Sequence, residues 1–194
     1  MWRVPGLEMS ARDCLMRQRG LLRPPDDIVI IAIDELSQKR FGRFPWPRSL
    51  MARALDSLKT AQPKAIALDV LYVEPTTKAD DATLASAVKR GGNVVVAAQL
   101  AAGASSEDAV EWQRPLQDIE SNAAGVGHVD VHTGFDGVAR TLLPREADDQ
   151  GKALWAMAVE LIRVGDGLAA DALRALPQAV AVGNRILPFT AGPD

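Results

Sequence analysis

The sequence predicts an α/β fold: a single domain with a central mixed, largely parallel sheet flanked by helices and an antiparallel hairpin. Three observations predict it. Residues 28–33 (IVIIAI), 65–70 (AIALDV) and 93–98 (NVVVAA) are β-rich apolar runs, as expected of strands covered on both faces. Amphipathic segments lie between them, and the right-handed crossover rule then makes the sheet parallel. Farther along, alternation over residues 126–131 leads into an Asp136–Gly137 turn, which is hairpin chemistry.

The elements follow in order. Leu7, Ala11 and Leu15 recur at helical intervals, so residues 7–19 read as a helix with Gly20 as its stop. The run 28–33 is the first strand, and Asp34 marks its end. Pro47 suits a first helical turn, and Met51, Leu55 and Leu58 share one face of a helix over 47–60. A second strand over 65–70 closes a βαβ unit. Asp80 or Asp81 caps the next helix, with Leu84 and Val88 inward and Gly91 at its end, before a third strand over 93–98. Residues 101–111 lack periodicity and read as a loop. A short helix over 115–122 precedes a half-buried strand, 126–131, with Val129 and Val131 pointing inward and 138–143 as its antiparallel partner. Leu154, Met157, Ala158 and Leu161 define a helix running to Gly165, and residues 179–182 and 185–187 form a last hairpin.

Composition narrows the function classes. A chain of 194 residues, 47% hydrophobic, can bury one sizeable core. Its formal charge of −3 gives no electrostatic reason to bind nucleic acid or anionic lipid. The single cysteine, Cys14, excludes an intrachain disulfide framework and a cysteine-based zinc site. No stretch of roughly 18 apolar residues spans a membrane and no signal-peptide core opens the chain, so the fragment is expected to be soluble. The sequence contains no Gly-x-Ser-x-Gly elbow, no phosphate loop and no Cys-x-x-Cys.

Several separate segments carry a family pattern. The AID at residues 32–34, GRFPWPR at 42–48, LDVLYVEP at 68–75, the acidic helix start at 80–84, and 125–131 followed by DGVAR at 136–140 occur in one order and spacing. Together they resemble the second type of CHASE domain, the extracytoplasmic sensory module of bacterial transmembrane adenylate cyclases, histidine kinases, diguanylate cyclases and serine/threonine kinases. The resemblance implies an input domain, residues 1–194, with residues 1–20 as a membrane-proximal helical lead-in. It implies membrane helices beside the domain in the parent, and a periplasmic or extracellular location at the inner membrane. The signal would be a small molecule or a protein, and receptor logic adds a homodimer. Family members continue past the point where this chain stops, with a further strand and a GATA-like turn, so a larger receptor is expected.

The candidate site residues gather at expected strand ends. Asp34 and Asp69 end consecutive strands, where open α/β sheets bind ligands. With Glu35 and Glu74 they could surround a divalent cation or grip a cationic solute. Equally, Asp34 or Asp69 could cap a helix or pair with Arg43 or Arg48. Arg43, Phe44, Trp46 and Arg48 combine guanidinium groups with aromatic rings, which can clasp a carboxylate, or can serve packing alone. Arg140 could fix an acid or face a partner, while Asp136 reads as a turn residue. His128 and His132 would stand ~13 Å apart along one extended strand, at ~3.3 Å per residue, too far to share an ion. That leaves the pair His128 and Asp130, or a solvated outer face, which is the preferred account. No cofactor is expected beyond a possible divalent cation at Asp34 and Asp69. The principal reading is a receptor input domain; the alternatives are a metal-dependent hydrolase or phosphoryl-transfer enzyme using Asp34 and Asp69, and a structural dimerisation module.

Overall fold

The computed structural model describes residues 5–102 and 109–189, which divide into two compact units, residues 1–44 and 45–194. In the first unit, helix α1 spans Pro5–Arg19 and stops where Gly20 takes a left-handed φ of 70°, as its sequence requires. Helix α2, Glu35–Phe41, was not foreseen. The expected strand at residues 28–33 is absent: the segment is irregular, and Ile28, Val29, Ile30 and Ile31 are exposed. A strand exists only where a neighbour satisfies its backbone groups, and no ladder among the described residues includes this one.

The second unit begins with α3, Arg48–Lys59, followed by strand β1, Ile66–Leu68, helix α4, Lys78–Gly91, and strand β2, Val94–Ala102. Strand β3, Val110–Gln113, short helix α5, Gln117–Glu120, and strand β4, Gly125–His128, come next. β1 and β4 both run parallel to β2, and β3 pairs antiparallel with the far end of β2, giving the expected mixed, mainly parallel sheet. The loop expected over 101–111 is shorter than drawn, because β2 and β3 pair through Ala102 and Val110; residues 103–108 lie outside the described residues.

β2 is the centre of the fold, and residues 94–98 are fully buried. Val95 and Ala97 face Met157, Leu161 and Val164 on one side, and the alternate residues face the opposite layer, as a pleated strand dictates. Each fully buried Val contributes roughly 1.5–3 kcal/mol. The same logic buries Leu84 and Val88 of α4 and Ile119 of α5.

Two short hairpins follow. β5, His132–Thr133, pairs with β6, Ala139–Thr141, through a turn in which Gly137 has a φ of 72°. β7, Arg145–Ala147, pairs with β8, Ala153–Trp155, so Leu154 belongs to a strand and helix α6, Met157–Gly165, starts later than expected. Strands β9, Leu173–Leu176, β10, Ala179–Val182, and β11, Arg185–Pro188, form a three-stranded antiparallel sheet where a two-stranded hairpin was expected. Its inner face closes over Ala156, Val159, Leu173, Val180 and Val182.

Candidate functional site

The residues singled out in the sequence fall into both units. In the first, Asp34 is the N-cap of α2: its Oδ1 accepts from the Ser37 amide at 2.8 Å, while the Asp34 amide donates to the Ser37 hydroxyl oxygen at 2.9 Å. This reciprocal capping box satisfies donors that a helix start leaves open. The Ser37 hydroxyl and amide hold the Asp34 carboxyl below its ordinary pKa. Glu35 lies exposed in the first turn of α2, and Arg43 is exposed just beyond that helix.

In the second unit, Arg48 is buried and engaged on three sides. Its Nε donates to Asp81 Oδ1 at 3.2 Å, its Nη2 donates to the Glu74 carbonyl at 2.8 Å, and its guanidinium lies 4.3 Å from the centre of the Tyr72 ring. Asp81, not Asp34 or Asp69, is its carboxylate partner. Thr76 completes the lock, donating its amide and hydroxyl to Asp81 at 2.9 and 2.8 Å. Burial pushes the Asp81 pKa up, but the Thr76 and Arg48 contacts outweigh it and the net shift is downward. Burial likewise pushes the Tyr72 phenol up to about 12, against the pull of Arg48.

The two adjacent aspartates divide the work. Asp80 accepts from the Arg48 and Ser49 amides at 2.8 and 3.0 Å, capping α3 from the neighbouring helix. The cap of α4 itself is Thr77, whose hydroxyl accepts from the Asp80 amide. Asp69 follows β1 and is exposed, as is Glu74, and Trp46 is half-buried. Arg140 grips Asp136 with two hydrogen bonds of 2.9 and 2.7 Å across its own turn, drawing the Asp136 carboxyl down to about 2.

The structure assembles a different group of chemically capable side chains. His128, Asp130 and Glu146 each offer a ligand atom within 4.8 Å of the others, and neither Asp34 nor Asp69 belongs to the cluster. His128 ends β4 beside Ala98 of β2 and Ala156, so it sits at the carboxyl end of a parallel strand. Strand carboxyl ends are where open α/β sheets bind ligands, and His128, not Asp34 or Asp69, stands with this cluster at such an end. His128 is 1% exposed, with the Trp112 ring 5.8 Å away. The account of His128 on a solvated outer face is therefore corrected, and Val131, expected inward, is 57% exposed. The alternation was extrapolated past the end of β4, and the chain breaks register there.

That break also brings His132 to Glu146, with Nε2 and Oε1 2.9 Å apart. The extended-strand spacing does not apply, so both histidines neighbour the same carboxylate. Asp130 is fixed by the Leu100 amide at 3.0 and 3.1 Å, and its Oδ2 lies 3.9 Å from His128 Nδ1. Burial lowers the pKa of His128, opposed by the charges of Glu146 and Asp130, and burial raises that of Asp130. Both ring nitrogens of His128 and Oε2 of Glu146 are buried without a hydrogen-bond partner of normal geometry, although the Leu143 backbone lies close enough to favour the protonated ring. Glu146 also lines a cleft of about 330 Å³ together with Leu143, Arg145, Trp155 and Phe189. Glu146 could not have been found from local spacing, since β7 delivers it from a later hairpin.

The family to which these elements conform is decided by direct comparison. The CHASE2 domain family matches residues 1–191. The chain belongs to the CHASE2 family. CHASE2 domains are extracytoplasmic sensory domains of signalling receptors, and they are sensory rather than catalytic. No curated protein and no solved structure matches this CHASE2 chain. Among its described residues, no helix is long and apolar enough to cross a membrane.

Proposed function

We propose that this CHASE2 domain is the periplasmic input module of a bacterial inner-membrane receptor, handing a signal through flanking membrane helices to a cytoplasmic cyclase or kinase. The family match over residues 1–191 carries this reading. The buried Arg48–Asp81 lock supports it: it ties the start of α3 to α4, so a shift in either helix would be felt by the other. Asp69 and Glu74 present exposed carboxylates near that lock in the sequence and are the residues proposed to meet a small-molecule or protein signal. The receptor works as a homodimer, the arrangement in which paired membrane helices can transmit a displacement.

Reporter fusions in the parent receptor test location and assembly together. Alkaline phosphatase fused at the domain should be active, and chemical cross-linking of the same membranes should yield a dimer. An inactive fusion would overturn the location, and an exclusively monomeric receptor would overturn the assembly.

A further inference from the structure

We propose that His128, Asp130 and Glu146 form a binding site for one divalent first-row transition ion, of which Zn²⁺ is the representative. Donors around a tetrahedral ion with bonds of about 2.1 Å stand roughly 3.4 Å apart. The three ligand atoms already lie within 4.8 Å of one another, so the donors need to close by little more than an ångström to reach that spacing.

Unmet bonding capacity points the same way. Buried polar atoms are nearly always paired, yet Glu146 Oε2 and both ring nitrogens of His128 lack a partner of normal hydrogen-bond geometry, with the Leu143 backbone lying close to the ring. His128 has a fully buried side chain, and Asp130 Oδ2 lies beside its Nδ1. An imidazole and two carboxylates converging on one point form a donor set with lone pairs to spare, which a dication would bind. Imidazole beside carboxylates suits zinc and its transition-metal neighbours more than Ca²⁺ or Mg²⁺, which prefer oxygen alone.

The surroundings hold the ligands in place. His132 bonds Glu146 Oε1 and leaves Oε2 for the ion, and the Leu100 amide orients Asp130 while lone pairs remain on its oxygens. Trp112 walls the ring of His128, and Glu146 also lines the neighbouring cleft. The site stands independently of the receptor reading, because it needs only the residues of the second unit.

The test uses the tag-free 194-residue protein, stripped of metal and dialysed against Zn²⁺, with Co²⁺ as a spectroscopic probe. One Zn²⁺ per chain and a Co²⁺ ligand-field band are expected, both lost in Glu146→Gln and Asp130→Asn variants whose circular dichroism is native. His132→Gln, which removes only an orienting contact, should weaken affinity by about tenfold or more. A reading that needs no variant is the imidazole nitrogen resonance of His128, which should shift on Zn²⁺ addition. Absence of stoichiometric binding, binding that survives Glu146→Gln and Asp130→Asn, or a His128 resonance that stays put would each overturn the site.

Discussion

Arg48 and Asp81 are held by more contacts than any other ion pair joining α3 to α4. Both side chains are close to nine-tenths buried, and the pair is completed by Thr76, the Glu74 carbonyl and the Tyr72 ring. Removing one partner leaves the other charge buried and unpaired, which costs more than the pair itself is worth. Asp81→Asn is expected to lower unfolding free energy by about 3 kcal/mol at neutral pH, measured by urea denaturation. The Asp81 pKa is depressed in the folded state, so its contribution is present above the unfolded value of 3.8 and is lost as pH falls through the folded one. The gap between wild type and variant should therefore narrow below about pH 4; a gap that is constant with pH would show that Asp81 is not ionised in the fold. At this scale the sequence revealed which side chains matter better than it revealed their partners. Arg48 stood out in the GRFPWPR run, but Asp81 lies 33 positions on, and only the packing of α4 beside α3 selects it over its neighbour Asp80.

At the scale of elements, two glycines set how closely α6 approaches β4. A Cβ on Gly127 would come within 2.8 Å of the Met157 amide nitrogen, and one on Gly125 within 2.7 Å of Arg163 Nη2. The Gly127 obstacle is backbone, which cannot swing aside. Gly127→Ala is expected to destabilise the domain by about 2 kcal/mol, read as a lower urea midpoint at unchanged slope; an unaltered midpoint would mean that the two elements are not in contact. Strands β1 and β2 and helices α3, α4 and α6 were legible because burial on one stripe or both faces imprints itself on local sequence; α1 was read from its spacing although its described side chains are mostly exposed, and β4 pairs parallel with β2 rather than antiparallel with 138–143 as expected. The segment 28–33 misled for the same reason: an apolar β-rich run records a capacity for pairing, while pairing itself requires a neighbour with free backbone groups. β9 and the β7–β8 hairpin were missed because their three- and four-residue strands are too short to show alternation.

For the molecule as a whole, family membership was readable from dispersed motifs, each weak, whose order the fold preserves. The histidine–carboxylate cluster was half-legible. His128 and Asp130 were noted, but their burial depends on Ala156 and Trp112, and their third member arrives with β7. A sensory domain must convert an external event into a shift of its own packing, and a ligand can drive that shift only by binding the two states unequally. The central claim is that this domain controls a distant output. It is tested most directly by reconstituting the parent receptor in nanodiscs and assaying its cytoplasmic enzyme with the wild-type domain and with Arg48→Met, which removes the guanidinium's bond to Asp81 while keeping the side chain's bulk. The account predicts an output that changes severalfold at equal receptor level, with the isolated cytoplasmic enzyme as the unaffected control. Equal output from both receptors, with the variant domain shown to be altered in stability, would contradict it.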